Sequence, residues 1–414
     1  MAGSTAGSGA GSMAGSGAGE RRVVAVVTSA LFVYGVGASA VLPILPLFLR
    51  SRHTGDAMIG AVIAAFFVAG VLTQYGAGWL TDRLGQRVVI VGGLSIYAVA
   101  SCGFLASLDA GGYVTLRALQ GLGSGAVTVA GLSMVAAAVP AERRGRAFSR
   151  VFAAQLGGMA IGPVIGSVVG SAHMSWLFVV TAVAAVIAVG PVLWGVPAGR
   201  PVHETESGLA VSRGLVGVVL VGVAGGVIGG AYESCWSLLM ASRGAAVWQV
   251  GMSWTLFAIP FAAISPLAGR LVDRLDRRWL AITSMIASAG FAVTYPFLPT
   301  PAWLMGLGVF ESVAVAIAFP AAQSLLAEAA PESALGRAQG LFTTAETAAI
   351  AAAAAVSGYL FSLARWVPFV VAASIAVGLM SVLPVLWRDV AGKASNGASV
   401  PLPAPMPEPL IPAN

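Results

Sequence analysis

Long continuous apolar runs dominate this sequence and constrain its fold more than any other feature. Twelve runs of about 20 residues or more recur along the 414 residues, and each is long enough to cross a hydrocarbon core of roughly 30 Å. Because lipid offers the backbone no hydrogen bonds, runs of this length must form helices rather than the shorter strands of a barrel. We therefore predict an all-α integral membrane protein with twelve transmembrane helices.

The predicted spans form two groups of six, separated by a polar segment. The first group is 22–49, 57–80, 88–107, 112–138, 148–170 and 175–196. The second group is 214–240, 247–271, 279–298, 302–328, 338–362 and 366–387. The composition agrees, since 58% of the residues are hydrophobic and soluble domains contain about 45–50%.

The basic residues are distributed unevenly around these spans. Of the 22 Lys and Arg residues, 17 fall in the termini and in the loops on the same side, whereas Arg50, Arg52, Arg243 and Arg365 fall on the opposite side. Short cytoplasmic loops carry such an excess of positive charge, so both termini are expected in the cytoplasm. The net charge of +6 is therefore explained by topology, and we predict no nucleic-acid partner.

A duplicated cluster of charged residues divides the chain into equivalent halves. "GWLTDRLGQR" at 78–87 returns 191 positions later as "GRLVDRLDRR" at 269–278. "PAERRGRA" at 140–147 returns in the same register as "PESALGRA" at 331–338. The shared offset indicates an internal duplication of six helices, and parallel repeats of this kind are a transporter architecture with its binding site near the bilayer midplane.

The repeat and the composition predict five segments along the chain. They are a disordered Gly/Ala/Ser-rich cytoplasmic tail over 1–20, an N-terminal six-helix bundle over 21–197, a cytoplasmic linker over 198–213, a C-terminal six-helix bundle over 214–388 and a Pro-rich cytoplasmic tail over 389–414.

Several motifs resemble the major facilitator superfamily, and the resemblance extends over essentially the whole chain. The segment 78–87 resembles the family's loop between helices 2 and 3, "RALQGLGSG" at 117–125 its helix 4 motif, and "PILP" at 43–46 a feature of twelve-helix members. "GMAIGPVIG" at 158–166 resembles the helix 5 motif of drug:proton antiporters. Gln86 and Asp276 depart from the loop pattern. The resemblance implies a monomeric secondary transporter that works by alternating access, with the proton gradient as its energy source and no cofactor.

The duplicated charge clusters are predicted to act as gates. Asp82 and Asp273 end the second and eighth spans, where each carboxylate can face the positive N-terminus of a helix in the other half, near Gly336 and Gly145 respectively. Such contacts would favour one state of an equilibrium; the alternative is an ordinary solvated loop. The predicted gating residues are Gly78, Asp82, Arg83, Gly85, Arg87, Gly269, Asp273, Arg274 and Arg278.

A series of small residues on the fifth span is predicted to help the conformational change. Gly158, Gly162 and Gly166 are four residues apart and lie on one helix face, where another backbone can approach closely. Pro163 can bend this helix. The alternative interpretation is simple helix packing.

Ionisable residues within the spans point to the functional site, because each costs about 2.5–3.5 kcal/mol at a helix centre. A buried carboxylate can change its protonation when a cavity opens to alternate sides, which proton coupling requires. An acidic pocket with aromatic walls also suits a lipophilic cation. The alternative is that these side chains are structural partners of one another. The predicted cavity residues are Arg117, Gln120, Glu233, Glu311, Glu346, Tyr34, Tyr232 and Trp236.

These features predict a proton-coupled exporter of small amphipathic drugs or secondary metabolites in a bacterial plasma membrane. The alternatives are a carrier of sugars or other polar metabolites, and a receptor or scaffold that transports nothing. An enzyme is not predicted, because the single lysine, Lys393, lies in the C-terminal tail outside any phosphate-binding loop and no nucleophile elbow occurs. The three histidines are far apart, so no metal site is predicted.

Overall fold

The computed structural model describes residues 8–139, 141–195, 211–330 and 335–388, and within these ranges the chain folds as a bundle of long helices. The first half contains α1 (Ser8–Val41), α2 (Leu45–Ser51), α3 (Asp56–Leu84), α4 (Gln86–Gly103), α5 (Ala110–Ala138), α6 (Ala141–Ala172) and α7 (Trp176–Gly195). The second half contains α8 (Arg213–Ser242), α9 (Val247–Arg274), α10 (Arg277–Thr294), a 3₁₀ turn (Tyr295–Phe297), α11 (Pro301–Ala329), α12 (Leu335–Leu363) and α13 (Val367–Leu386).

Twelve stretches of helix in this part of the chain are long and apolar enough to cross a membrane, as the sequence predicts. Together they make an all-α, multi-pass membrane protein. The predicted linker and the C-terminal tail fall largely outside the described residues, as do residues 1–7 of the N-terminal tail.

The beginning of the chain differs from the prediction in two places. First, α1 begins at Ser8, inside the segment predicted to be disordered, although glycine is frequent there and disfavours helix. Second, the predicted span 22–49 is not one helix, because the chain leaves α1 after Val41 and re-enters helix at Leu45. Pro43 lies in this break, where it has no N–H to continue the hydrogen-bond ladder.

The duplication is visible in the helix bounds themselves. Moving α5 by 191 positions gives the bounds of α11, and the same shift converts α4 into α10 and α7 into α13. The equivalent of α1, the break and α2 is the single helix α8, which ends at Ser242 as α2 ends at Ser51. The two halves therefore share one fold, with the break in the first half only.

Each half has its own apolar core. Residues such as Leu94 and Val135 are buried in the first half, and Leu215 and Leu325 are buried in the second. A third core joins the halves and brings Phe48 and Phe104 of the first half together with Tyr295 of the second.

The halves also meet at two equivalent glycines, where backbone lies against backbone. A Cβ added at Gly60 on α3 would lie 2.5 Å from the carbonyl oxygen of Ala354 on α12. A Cβ added at Gly251 on α9 would lie 2.6 Å from the carbonyl oxygen of Pro163 on α6. Gly60 and Gly251 are 191 positions apart, as are Pro163 and Ala354, so the same contact is made twice.

Candidate functional site

A cavity of about 300 Å³ lies within the second half, between α8, α9, α10, α11 and α12. Its wall includes three carboxylates, those of Glu233, Glu311 and Glu346. No lysine or arginine is among the described residues that line it. The rest of the wall is mainly apolar, with the aromatic residues Tyr232, Trp236, Trp254, Phe257, Tyr295, Phe319 and Phe342.

Glu311 on α11 is the most enclosed of the three carboxylates, with 2% of its surface exposed. Its Oε1 accepts hydrogen bonds from Tyr232 Oη and Ser288 Oγ, each at 2.8 Å, and its Oε2 accepts one from Tyr295 Oη at 2.7 Å. Three hydroxyl donors thus hold this side chain in a fixed orientation at the wall of the cavity.

Glu233 on α8 and Glu346 on α12 are half-buried and line the same cavity without such support. Neither carboxylate accepts a hydrogen bond within the described part of the chain, whereas Glu311 accepts three. The backbone of Glu346 is fixed by close helix packing, because a Cβ on Gly226 of α8 would lie 2.4 Å from its carbonyl oxygen. Within the part of the chain that the structure describes, the cavity therefore contains one carboxylate with hydrogen-bond donors and two without them.

Arg117 on α5 lies in the first half and is almost fully buried. Its Nη1 donates to Gln120 Oε1 at 2.9 Å, and Gln120 Nε2 donates to Ser101 Oγ at 2.9 Å. The guanidinium lies over the ring of Phe66, 4.5 Å from the centroid, an arrangement that favours a cation. Arg117 Nε and Nη2 have no hydrogen-bond partner among the described residues.

The structure separates the predicted cavity residues into two groups. Glu233, Glu311, Glu346, Tyr232 and Trp236 line the cavity of the second half. Arg117, Gln120 and Tyr34 lie outside its lining, in the first half, where Tyr34 makes an edge contact with Tyr97 at 5.0 Å. An electrostatic interaction between Arg117 and Glu233 connects the two groups, although no ion pair within 4 Å joins these two side chains.

The buried arginine and the cavity occupy equivalent places in the two halves. Moving Arg117, Gln120 and Phe66 by 191 positions gives Gly308, Glu311 and Phe257. All three of these residues line the cavity. The space that the arginine side chain fills in the first half is therefore open in the second, because glycine takes its place.

Several residues of this site were not identified from the sequence. Phe257, Gly308, Ser288 and Tyr295 each stand in an apolar run, where a single aromatic or small residue is ordinary packing. The internal repeat could have identified Gly308, because the offset of 191 makes this glycine equivalent to the buried Arg117.

The gating residues are described only in part. Gly78, Asp82 and Asp273 belong to helices, but their surroundings lie outside the described residues, so the predicted contacts of these carboxylates stay predictions. A Cβ added at Gly269 would meet nothing within 4 Å, and the side chains of Arg83 and Arg274 are exposed.

The two equivalent arginines Arg87 and Arg278 do have described contacts. Arg87 Nη2 donates to the carbonyl oxygen of Leu193 at 2.7 Å, and Arg278 Nη1 donates to that of Trp387 at 2.9 Å. Each arginine thus binds the C-terminal end of the last helix of its half, where a cation is favourable. Each arginine thus connects the loop between the second and third membrane spans of its half to the end of the last helix of that half.

The turn between helices is built differently in the two copies of the loop. Gly85 has φ 85°, a value that favours glycine. Asp276 instead caps α10, and its Oδ1 accepts from the backbone N–H of Arg278 at 2.9 Å while its Oδ2 accepts from Arg278 Nη2 at 2.8 Å. The hydrogen bond from the Arg278 side chain holds the pKa of Asp276 below its usual value.

The glycines of the fifth predicted span, now α6, pack against α1. A Cβ added at Gly158 would lie 3.0 Å from the carbonyl oxygen of Phe32, and one at Gly166 would lie 2.1 Å from that of Ala40. Gly162 lies equally close, and Pro163 lies inside the continuous helix α6 where this helix also meets α9. Close packing is therefore observed, and a role in conformational change stays a prediction.

Among the described residues, no His, Cys, Asp and Glu side chains form a group that could hold a metal ion.

Comparison with known proteins identifies the family. A sequence model of the Major Facilitator Superfamily matches residues 27–229 and again 214–411. The uncharacterized MFS-type transporter YttB of Bacillus subtilis is 25% identical over 343 residues, which are 79% of this chain and 85% of YttB. Multidrug resistance protein 2 of the same organism is 26% identical over 147 residues, 36% of this chain and 37% of that protein.

A solved structure supports the fold. The crystal structure of a D-xylose-proton symporter superposes with a TM-score of 0.71 at 15% sequence identity, covering 90% of this chain and 98% of the symporter. At this identity the likeness concerns the fold alone. Because the family model matches both duplicated halves, the chain belongs to the major facilitator superfamily and is a secondary transporter.

Proposed function

We propose that this transporter is a proton-coupled exporter of small amphipathic drugs or secondary metabolites, and that it works as a monomer in the plasma membrane with both termini in the cytoplasm. The observation that carries the proposal is the intramembrane cavity with three carboxylates and mainly apolar walls. Carboxylates at this depth are expensive unless they bind protons or cations, so their presence favours a coupling role.

The two carboxylates without donors are the proposed proton carriers. Glu346 and Glu233 lack hydrogen-bond donors among the described residues, so the charged form of each is poorly stabilised in an apolar wall, although the interaction with Arg117 partly supports that of Glu233. Each can accept a proton when the cavity faces one side and release it on the other. A proton that moves inward down a potential of 100 mV makes available about 2.3 kcal/mol.

The apolar walls support an amphipathic substrate over a sugar. Aromatic and aliphatic side chains make up most of the lining, whereas a sugar site needs many hydrogen-bonding groups. Multidrug resistance protein 2 is similar to part of the chain, which agrees with this choice of substrate.

Proton flux in energised everted vesicles tests the proposal. A pH-sensitive dye reports the interior pH while lipophilic cations, antibiotics and sugars are added one at a time. We expect an amphipathic compound to release protons, and the response to be abolished in Glu346→Gln. The matched control is Glu328→Gln, which removes a carboxylate that is ion-paired with Arg277 outside the cavity and should respond like the wild type. A response to sugars alone would favour the polar-metabolite carrier, and silence toward every compound would favour the scaffold.

A further inference from the structure

We propose that the second half binds the cationic group of an organic cation in the space that Gly308 leaves open, against the ring of Phe257 and the carboxylate of Glu311. This inference rests on the proposed function and names the substrate class that the exporter's cavity takes. The observation behind it is the internal duplication, because the equivalent position in the first half contains the cationic side chain of Arg117.

In the first half, the side chain of Arg117 fills the equivalent space. There the guanidinium of Arg117 lies 4.5 Å from the ring centroid of Phe66 and donates to Gln120 Oε1 at 2.9 Å. A cation is thus held between an aromatic face and an oxygen acceptor, inside the membrane.

The second half repeats the ring and the acceptor but omits the cation. Phe257 and Glu311 take the places of Phe66 and Gln120, whereas Gly308 takes the place of Arg117. Phe257 is half-buried, lines the cavity and has no aromatic or cationic partner within the described ranges. The acceptor has also changed from a neutral amide to a carboxylate, which strengthens the attraction for a cation.

The space beside Gly308 is large enough for a guest. A Cβ added at this glycine would meet only Tyr295 Oη, at 3.7 Å, and the residue borders the cavity of about 300 Å³. Glu311 itself is held by Tyr232, Ser288 and Tyr295. Its hydroxyl donors therefore orient the carboxylate before the guest arrives, and Oε2 accepts from a single donor.

Binding of tritiated benzyltrimethylammonium to the purified full-length protein tests this site. This quaternary cation cannot gain or lose a proton, so its own charge is constant at every pH and its binding is measured without a proton gradient. Incorporation of mono-, di- and trifluorinated phenylalanine at position 257 weakens the ring's attraction for a cation with little change of shape. We expect a stepwise loss of affinity that reaches about tenfold. The same series at Phe310, which is exposed on α11, serves as the matched control and should not change the affinity.

A second variant tests the acceptor. Glu311→Gln should weaken binding of the cation about tenfold, whereas Glu328→Gln, on the same helix, should leave it unchanged. The inference is overturned if the wild type shows no saturable binding of benzyltrimethylammonium, if fluorination of Phe257 leaves the affinity unchanged, or if Glu311→Gln binds as the wild type does.

The inference and the proposed function can fail separately. Cation binding that depends on Phe257 and Glu311, without any proton release in vesicles, would uphold this site and refute proton coupling. Proton release driven only by neutral compounds, with no cation binding, would uphold coupling and refute this site.

Discussion

At one register of the duplicated helices, the first half contains Arg117, Gln120 and Phe66, and the second contains Gly308, Glu311 and Phe257. In the first half the arginine side chain fills the space between its neighbours, and its Nη1 pairs with Gln120. In the second half glycine leaves a cavity, and three hydroxyl groups that also line this cavity hold the glutamate. One duplicated scaffold has thus become a rigid internal ion site in one copy and an open cavity in the other. Exchange of these features between the halves tests how far three positions account for the difference.

The largest effect is expected when the second half is made to resemble the first. The double variant Gly308→Arg with Glu311→Gln restores the arginine, amide and phenylalanine combination, so the new side chain should fill the cavity. We expect transport to fall to background in vesicles while thermal unfolding in detergent shows a folded protein. Glu328→Gln is the control, because this residue lies on the same helix but outside the lining of the cavity, and it should transport like the wild type. Normal transport by the folded double variant would show that the cavity of the second half is not the substrate site.

A second test compares the two equivalent phenylalanines. Phe66→Ala removes the ring beneath a buried guanidinium, so we expect the free energy of unfolding to fall by about 4 kcal/mol. Phe257→Ala only enlarges an existing cavity, and its cost should be about half as large. Thermal unfolding of both variants in the same detergent measures the difference. Equal losses would mean that Arg117 contributes nothing to the packing of the first half.

A third test concerns the neighbouring position, which is Gly121 in the first half and Ser312 in the second. A Cβ at Gly121 would lie 2.1 Å from the carbonyl oxygen of Phe66, so Gly121→Ser must push α3 and α5 apart. We expect a loss of about 2 kcal/mol in the free energy of unfolding. The reverse change, Ser312→Gly, should cost about 1 kcal/mol or less. A Gly121→Ser protein as stable as the wild type would show that the helices adjust to this contact without strain.

The smallest effect is expected at the loop where Gly85 and Asp276 are equivalent. Asp276 has its pKa lowered in the folded protein, so its ionised form stabilises the fold at pH values above the usual aspartate pKa of about 3.9. That contribution is lost as the pH falls through the folded-state value. Asparagine caps a helix as well as aspartate does, so Asp276→Asn removes only the charge interactions with Arg278 and the helix N-terminus and should cost about 0.5 kcal/mol at neutral pH. Below about pH 4 the difference from the wild type should shrink in acid-unfolding curves; a difference that is constant down to pH 2 would contradict this account.

The sequence predicted the helices and the duplication well, because lipid imposes a strict length on each apolar run and the charged loops repeat in register. It did not predict the break after Val41, since a proline at the end of an apolar run is compatible with a kink as well as with a break. The position equivalent to Glu233 is Leu42, in that break, so the continuous α8 supplies a carboxylate to the cavity where the first half has an interruption.

The candidate site was predicted through its three carboxylates and two of its aromatic residues, Tyr232 and Trp236. Glu233, Glu311 and Glu346 stand out because ionisable side chains are rare in membrane spans. Gly308 and Phe257 do not stand out, because their significance lies in what the other half places at the same positions. Arg117 and Gln120 were assigned to the cavity from the helix 4 motif, from the cost of a charge inside a span and from the equivalence of Gln120 with Glu311, whereas the lining of the second-half cavity does not include them.

The two glycine contacts between the halves have a geometric consequence. Gly60 lies against Ala354, and Gly251 lies against Pro163, at nearly equal separations. Two points define a line, and a rotation of one half about that line changes neither separation. Backbone atoms surround Gly60, whereas the Cβ of Ser167 lies as near to Gly251 as the carbonyl oxygen of Pro163 does. The duplication therefore gives the two halves a pair of equivalent close contacts that define one rotation axis. A methyl group added at either glycine would force apart the helices that meet there and so shift this axis.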